Sequence, residues 1–324
     1  MKFKLLIALI TASVFSLCGC HSSTTLDELT YTDVLFDTVI SVQILDKADT
    51  SIIDGCSEIC KKYDTMFSRT NENSEISKIN SSKGIPVEVS KETIEIIQKG
   101  IYYSELSDGA FDISIGTVTS LWDFKSENPA LPSENDIVSA ISNVNYQDII
   151  IKDNTVQLAN PNMMLDVGAL AKGYIADKLK DYLIENNIQH ALINLGGNVL
   201  AVGNKPDGTD FNIGIQKPFD ETGMPITSVK LNDQTVVTTG IYQRYFEIDN
   251  TLYHHILDPS TGLPCSNNLY SVSIITDSSL DADALSTSTF LLGLEKGMEL
   301  INNTSGVEAI FITDDMEIHY SNNL

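Results

Sequence analysis

The order of the elements predicts an α+β protein with mainly antiparallel sheets and packed helices. Helical periodicity is concentrated before residue 190, whereas strand patterns dominate over residues 211–275. Strands and helices in separate blocks are typical of this class. The 324 residues, 42% hydrophobic and 20% charged, can bury one large core. We therefore expect a single compact unit over residues 31–324, in which any division into two subdomains falls near Asp166.

The elements before residue 190 follow from periodicity and from capping residues. Ser90 and Ser133 stand where an N-cap serine begins a helix, and the turn Asp153-Asn154 predicts a hairpin. In chain order we predict a strand over 31–46, a helix over 52–67, a short helix after a polar loop near 74, a strand over 87–89, helices over 90–106 and 133–142, hairpin strands over 148–152 and 155–158, and a helix within 166–187.

The elements after residue 190 are mostly strands, because apolar and polar residues alternate between turn residues. We predict strands over 191–195, 199–202, 211–216, 226–232, 235–238, 244–248, 252–257 and 270–275, helices over 281–294 and 294–302, and hairpin strands over 308–313 and 316–320.

The first twenty residues have the pattern of a secretory signal. Lys2 and Lys4 precede an apolar run over 5–14, which Leu17-Cys18-Gly19-Cys20 closes. This ending resembles the bacterial lipobox and implies cleavage before Cys20 and a lipid on its thiol; an ordinary signal peptide with incidental cysteines is the alternative. We expect residues 1–19 to be removed, 20–30 to form a tether, and the protein to be lipid-anchored to the extracytoplasmic face of the cell membrane.

Charge and cysteine content exclude several classes of site. Removal of Lys2 and Lys4 with the signal takes the formal net charge from −24 to −26. Such a polyanion repels nucleic acid, so we expect no nucleic-acid partner, and a phosphorylated ligand needs a local site with a metal ion. Cys56 and Cys60 lie one helical turn apart, which suits neither an unstrained disulfide nor zinc. We expect both to be buried as small hydrophobic residues.

The most informative stretch is residues 163–177, where a strand is expected to turn into a helix. Asp166 and Gly168 lie at that junction, which presents backbone N–H groups and the positive end of a helix dipole. This end suits a phosphate, to which Lys172 adds a point charge. The alternative is that Asp166 caps the helix, Gly168 permits the turn and Lys172 is solvated.

A second candidate site lies in the helix predicted from residue 281. Asp283 and Thr287 lie four residues apart on one helix face and offer two hard oxygen ligands. Two are too few to enclose calcium but are typical of magnesium that completes its octahedron with water and ligand phosphate. The alternative is that the acids only complement the helix dipole.

The strand predicted over 252–257 carries two histidines. Alternation puts His255 and Leu257 on one face and His254 on the other. Beside a phosphate, His255 could take the proton of an attacking hydroxyl near neutral pH. The alternative is a structural histidine.

Absent motifs and present ones together narrow the function. The chain has no Gly-Lys-Thr phosphate loop, no Gly-x-Gly-x-x-Gly after a strand, no His-Glu-x-x-His and no Gly-x-Ser-x-Gly, which disfavours standard NTPases, Rossmann dehydrogenases, zincins and serine hydrolases. Its ordered motifs instead resemble the FAD:protein FMN transferases of the ApbE type over nearly the whole chain after the signal. The motifs occupy residues 74–80 (SEISKIN), 109–112 (GAFD), 165–174 (LDVGALAKGY), 194–198 (NLGGN), 239–240 (TG), 255–262 (HILDPSTG) and 282–287 (ADALST).

The resemblance implies a fold, a reaction and a set of residues. FAD would bind with magnesium, and its FMN half would pass to a threonine hydroxyl of an acceptor protein, such as a membrane redox complex subunit or an extracytoplasmic flavoprotein, with release of AMP. The implied FAD contacts are Ala110, Phe111, Asp112, Asp166, Lys172 and Leu257; the implied metal ligands are the Ala169 carbonyl, Asp283 and Thr287; and the family's histidine falls on His255.

Two other functions use the same residues. In an FAD pyrophosphatase, water replaces the threonine and the products are FMN and AMP. A lipoprotein that only binds and delivers flavin would not require Asp283 and Thr287. The chain also departs from the family near its first strand, where the family's Met-Gly-Thr is replaced by Phe36-Asp37-Thr38.

Overall fold

The computed structural model describes residues 28–220, 222–322 and 324. Its strands are β1 (Leu29–Leu35), β2 (Thr38–Ile44), β3 (Val87–Glu88), β4 (Ile149–Lys152), β5 (Thr155–Leu158), β6 (Ala191–Leu195), β7 (Asn198–Val202), β8 (Phe211–Gln216), β9 (Pro225–Leu231), β10 (Thr235–Gly240), β11 (Tyr245–Ile248), β12 (Thr251–His254), β13 (Leu269–Thr276), β14 (Glu308–Thr313) and β15 (Ile318–Tyr320). Its helices are α1 (Ser51–Phe67), α2 (Glu75–Ser81), α3 (Lys91–Leu106), α4 (Gly116–Thr119), α5 (Glu134–Ile141), α6 (Gly168–Glu185) and α7 (Ser279–Asn302).

An eight-stranded antiparallel sheet in the order β1-β2-β6-β7-β10-β13-β14-β15 organises the molecule. Helices α6 and α7 pack against one face of this sheet and against each other. The β8-β9 ribbon covers part of the other face through a separate apolar cluster. The predicted α+β class with antiparallel sheets is therefore confirmed, and α6 and α7 are the helices nearest the centre of the sheet.

Capping residues and turn residues fix several helices and hairpins as the sequence predicts. Ser74, Ser90 and Ser133 each accept a hydrogen bond from the backbone N–H three residues on, at the starts of α2, α3 and α5. The β4-β5 hairpin turns at Asp153, which has a positive φ of 52°. The two helices predicted over 281–294 and 294–302 are present as the two parts of α7, which are separated at Gly293 by a kink with a non-helical φ of 78°.

The two helical cysteines are buried as predicted. Cys56 and Cys60 have no exposed surface and no disulfide. Burial raises the pKa of each thiol to about 12, because the interior disfavours the charged thiolate. They pack as small hydrophobic residues in the main core.

The single strand predicted over residues 31–46 is wrong. The segment is a hairpin, with β1 and β2 paired from Leu29 opposite Ile44 to Leu35 opposite Thr38. Phe36 and Asp37 both have positive φ, which is the conformation that tight two-residue hairpins need. In the sequence, Val34 and Phe36 extend the apolar alternation of β2 backwards, which conceals the turn. In the structure the buried face changes phase at the turn, since Tyr31 is buried in β1, Ile40 and Val42 are buried in β2, and Val34 is 70% exposed.

The strand expected before α6 is also wrong. Met164 makes only an isolated parallel bridge with Ile115, so residues 163–165 do not form part of a ladder. Instead, the segment is held by the backbone bond from Gly116 to the Met164 carbonyl and by the Asn80 side chain, which bonds both backbone groups of Leu165.

Residues 1–27, including the predicted signal and Cys20, lie outside the described part of the chain. Among the residues that are described, no helix combines the length and the hydrophobicity needed to cross a bilayer.

Candidate active site

The site is built where α6 crosses the start of α7, and a glycine makes that crossing possible. A Cβ atom on Gly173 would lie 2.2 Å from the carbonyl oxygen of Ser279, so only glycine lets the two backbones approach so closely. Asp177, one turn further along α6, accepts hydrogen bonds from Ser279 N at 2.8 Å, Leu280 N at 3.0 Å and the Ser278 hydroxyl at 3.1 Å. Its carboxylate therefore caps α7 from the neighbouring helix.

Asp283 is the first predicted metal ligand that this crossing places. Its side chain is buried, with 4% of the residue exposed, and its Oδ2 accepts a 2.8 Å bond from Gly173 N. In a regular α-helix that N–H donates to the carbonyl four residues earlier, which belongs to Ala169. A carbonyl oxygen has two lone pairs, so the Ala169 carbonyl can accept a metal ion at this crossing. Lys172 Nζ lies 3.7 Å from Asp283 Oδ1 on the same side of the crossing.

Thr287, one turn after Asp283, adds a hydroxyl to this group. Its Oγ1 lies 3.2 Å from Thr239 Oγ1 and 3.4 Å from the Asp283 carbonyl. Ala169, Asp283 and Thr287 thus provide a carbonyl, a carboxylate and a hydroxyl, which are the hard oxygen donors that magnesium prefers. Across the residues that the structure describes, no three His, Cys, Asp or Glu side chains gather as metal ligands, so this set rests on one carboxylate. The donor set fits magnesium that also keeps water and phosphate ligands.

The strand predicted over 252–257 ends earlier than expected, which changes the expected orientation of the two histidine side chains. β12 stops at His254, opposite Tyr245, and the alternation of faces ends there. The cause is a local change of partners: Ile256 N bonds the His254 ring, and the Ile256 carbonyl accepts from Cys265 N. The prediction that His255 and Leu257 share a strand face is therefore wrong.

The two histidines have different capacities for proton transfer. His254 is buried, with 5% of the residue exposed. Its Nε2 lies 3.1 Å from the Cys265 carbonyl and its Nδ1 accepts from Ile256 N, so both ring nitrogens are hydrogen-bonded to backbone groups. His255 uses only Nδ1, which lies 3.2 Å from the Arg244 carbonyl. Because a carbonyl can only accept, Nδ1 carries the proton and Nε2 keeps a free lone pair.

The surroundings of His255 keep its ring neutral. Burial lowers its pKa to about 4, and the cations Arg244 and Lys172 and the neighbouring His254 lower it further in the same direction. At pH 7 the free Nε2 is thus an acceptor for a proton, although a weak base.

Asp166 lies at the start of α6 and has both carboxylate oxygens engaged. Oδ1 accepts from Gly168 N at 2.9 Å, while Oδ2 lies 2.8 Å from the Thr119 hydroxyl and 3.2 Å from Arg69 Nε. The anion cradle expected at this helix start is therefore partly filled by the protein's own carboxylate. Lys172 points to Asp283 and not to this helix end.

The predicted FAD contacts at 110–112 lie in a loop beside that helix start. Asp112 is buried and its carboxylate accepts from Ser114 N and Oγ, both at 2.7 Å, and from Tyr146 N at 3.0 Å. Burial raises the pKa of this carboxyl. Phe111 is buried and Ala110 is partly exposed, so the loop presents backbone and apolar surface while Asp112 holds its shape. The backbone bond from Asp166 N to the Ile113 carbonyl joins the loop to Asp166.

Leu257 closes the site from a third direction. It is buried with Val118, Trp122 and Ala140 in a small apolar cluster, and Trp122 Nε1 donates to the Gly262 carbonyl at 3.0 Å. These contacts connect the loop after β12 to the segment that contains α4. Contacts therefore connect Lys172, Asp283 and Thr287 at the α6-α7 crossing, with Ala169 one turn before Gly173 on α6, and the 110–113 loop to Asp166 at the start of α6. Leu257 packs in the apolar cluster beside α4, and His255 lies against the Arg244 carbonyl.

Sequence reasoning gave no role to two residues that position this site. Asp177 caps α7. Its position could have indicated this role, because it lies on the same face of α6 as the small residues Gly173 and Ala176. Thr239 is named from the sequence only within the motif at 239–240, yet its hydroxyl contacts Thr287. No local sequence signal connects β10 to α7.

Known proteins resemble this chain over most of its length. A model described as the ApbE family matches residues 36–311. The chain is 37% identical to an FAD:protein FMN transferase of Klebsiella pneumoniae (strain 342), over 89% of this chain and 90% of that protein. It is 31% identical to one of Treponema pallidum (strain Nichols), over 94% and 91%. The crystal structure of the ApbE protein from Thermotoga maritima superposes with a TM-score of 0.85 at 29% identity, over 92% of this chain and 98% of that one.

Proposed function

The chain belongs to the ApbE family of FAD:protein FMN transferases, and we propose that it transfers the FMN half of FAD to a threonine hydroxyl of an acceptor protein in a magnesium-dependent reaction that releases AMP. FAD is the substrate and magnesium the cofactor in this proposal. The acceptor belongs to the class of membrane redox complex subunits or extracytoplasmic flavoproteins.

The observation that carries the proposal is the crossing of α6 and α7. There the Asp283 carboxylate accepts from Gly173 N, one turn after Ala169, Thr287 follows one turn later on α7, and the Lys172 ammonium lies 3.7 Å from Asp283. Magnesium bound by these oxygens would supply positive charge to a pyrophosphate inside a protein of net charge −24. Lys172 would add a second cation to the same anion.

The transfer needs one bond made, one broken and one proton moved. The threonine oxygen forms a bond to the phosphorus on the FMN side, the bond from that phosphorus to the AMP oxygen breaks, and the threonine proton leaves. We assign that proton to Nε2 of His255, since Nδ1 is committed to the Arg244 carbonyl and the ring is neutral at pH 7. Ala110, Phe111, Asp112, Asp166 and Leu257 are the proposed contacts that orient FAD.

A flavin-transfer assay tests the proposal. Purified protein is incubated with FAD, Mg²⁺ and a threonine-bearing acceptor, and the acceptor is examined for flavin fluorescence on a denaturing gel. We expect a fluorescent acceptor band that disappears when EDTA is added. FMN and AMP in solution without a labelled acceptor would instead identify a pyrophosphatase, and unchanged FAD bound to the protein would identify a flavin carrier.

We further propose that the enzyme is held at the extracytoplasmic face of the membrane by a lipid on Cys20. The proposal rests on the basic, apolar and small-residue order of residues 1–20. Cys20→Ser is expected to give a soluble or unprocessed protein in cell fractionation. A processed variant of unchanged gel mobility in the membrane fraction would contradict the lipid anchor.

A further inference from the structure

A short chain of hydroxyl groups connects the central sheet to the predicted metal ligands. Thr239, in β10, has its Oγ1 2.8 Å from Ser286 Oγ and 3.2 Å from Thr287 Oγ1, both on α7. Ser286 Oγ lies 3.0 Å from the carbonyl oxygen of Asp283. The group is largely enclosed, since Ser286 is fully buried and Thr239 and Thr287 are partly buried. Each of the three hydroxyls has one proton to donate, so the bonds must run in one direction.

The distances to the Asp283 carbonyl determine that direction. The carbonyl has two lone pairs, and both Ser286 Oγ, at 3.0 Å, and Thr287 Oγ1, at 3.4 Å, lie near it. Because O–H···O bonds are normally about 2.5–3.0 Å long, we assign the Ser286 proton to this carbonyl and not the Thr287 proton. Ser286 can then only accept from Thr239, at 2.8 Å. With its own proton committed to Ser286, Thr239 accepts the proton of Thr287.

We propose that Thr239 is a positioning residue that takes the proton of the Thr287 hydroxyl and so leaves the Thr287 oxygen lone pairs for a divalent cation. A hydroxyl whose proton pointed toward the cation would repel it, because the proton carries positive partial charge. The inference rests on the proposed function, of which a cation at Ala169, Asp283 and Thr287 is part. Partners that orient a metal ligand in this way typically affect metal affinity about tenfold or more.

The neighbouring threonine provides a matched control. Thr238 is the adjacent residue of β10, and its Oγ1 lies 2.7 Å from the hydroxyl of Ser273, its direct partner on β13. It has the same side chain, the same strand and a comparable hydroxyl bond. Because adjacent strand residues point to opposite faces, the Thr238 hydroxyl lies away from α7.

The experiment measures cation binding without the reaction. Mn²⁺, as a paramagnetic substitute for Mg²⁺, is titrated into the FAD-free purified protein, and the free ion is followed by electron paramagnetic resonance. We expect Thr239→Val to raise the Mn²⁺ dissociation constant about tenfold, while Thr239→Ser and Thr238→Val stay within about twofold of the parent protein. Ser286→Ala, which removes the acceptor of the Thr239 proton, is expected to weaken binding by a smaller factor than Thr239→Val.

Three outcomes overturn the proposal in distinguishable ways. Parent protein that does not bind Mn²⁺ refutes the metal site of the proposed function and this inference with it. If the parent protein binds the ion, the metal site stands. The role of Thr239 is then refuted when Thr239→Val binds the ion as well as the parent protein does, or when Thr238→Val is weakened as much as Thr239→Val. A Ser286→Ala variant that binds as tightly as the parent protein refutes the assigned direction of the hydrogen bonds. Thermal melts of all four variants separate weakened binding from loss of fold.

Discussion

Gly173→Ala is the substitution that most directly strains the α6-α7 crossing. The added Cβ would lie 2.2 Å from the Ser279 carbonyl oxygen, 2.6 Å from the Ser279 carbonyl carbon and 2.7 Å from the Leu280 Cα. Non-bonded carbon atoms prefer separations of about 3.5–4.0 Å, so the two helices must part by roughly 1 Å. The atoms in the way belong to the backbone of α7, which cannot rotate aside as a side chain can.

The expected consequence is a large loss of activity with a moderate loss of stability. Alanine gains about 1 kcal/mol of helix propensity over glycine, but overpacking of a close contact costs about 1–3 kcal/mol, so the net change in the free energy of unfolding is small to moderate. Separating the helices lengthens the 2.8 Å bond from Gly173 to Asp283 and moves the Asp283 carboxylate away from the Ala169 carbonyl. A displacement of about 1 Å in a catalytic arrangement can lower the rate about 100-fold.

The assay is the initial rate of flavin transfer to the acceptor, together with Mn²⁺ binding and a thermal melt. Gly55→Ala is the comparison variant: it lies within α1, and the atoms nearest its Cβ belong to the Tyr182 side chain and not to a helix backbone. We expect near-normal transfer from Gly55→Ala. A Gly173→Ala variant with the transfer rate and Mn²⁺ affinity of the parent protein would refute the claim that close packing at this crossing sets the metal site.

Four further outcomes follow from the site. Asp283→Ala should abolish Mn²⁺ binding and flavin transfer while leaving a cooperative thermal melt, because it removes the one carboxylate of the donor set. His255→Ala should slow transfer roughly 10²–10⁴-fold with little change in FAD affinity, and transfer by the parent protein should decline only as the pH approaches the His255 pKa of about 4. His254 stays neutral in the folded protein because burial lowers its pKa to about 4, whereas in the unfolded chain it is protonated below about pH 6.5. Acidification from pH 7 to pH 4 should therefore lower the free energy of unfolding by about 3 kcal/mol through this residue. Chemical denaturation at the two pH values should show a smaller loss in His254→Gln. Asp177→Asn should lower the melting temperature and weaken Mn²⁺ binding, because the amide has one acceptor oxygen whereas the two oxygens of the carboxylate accept three hydrogen bonds. Lys178→Gln, at the next residue, is the control.

The features that the sequence predicts are those encoded within a few residues. The serine caps at Ser90 and Ser133, the hairpin at Asp153 and the common helix face of Asp283 and Thr287 all depend on short-range geometry, and the structure confirms each of them. The capping hydroxyl, the turn conformation and the helical repeat act over one to four residues, which is the range that a sequence pattern reports.

The features that the sequence missed depend on contacts between distant segments. Gly173 and Asp283 are 110 residues apart in the chain, so no periodicity indicates that the amide of one bonds the carboxylate of the other. The break at Phe36-Asp37 was hidden because Val34 continues the apolar alternation of β2 in the sequence, although it is 70% exposed in β1. β12 ends early because Ile256 bonds the His254 ring and Cys265 and no longer pairs with β11. The composition of residues 255–257 still favours a strand, so the sequence pattern does not show this end.

The most direct test of the account is the position of the metal. Crystals grown with FAD and Mn²⁺ would be measured at a wavelength where manganese scatters anomalously. We expect an anomalous peak bounded by the Ala169 carbonyl, the Asp283 carboxylate and the Thr287 hydroxyl, with Lys172 on the pyrophosphate of FAD. A peak elsewhere in the molecule would contradict the proposed metal site. So would bound FAD with Lys172 still beside Asp283 and no peak between these three oxygens.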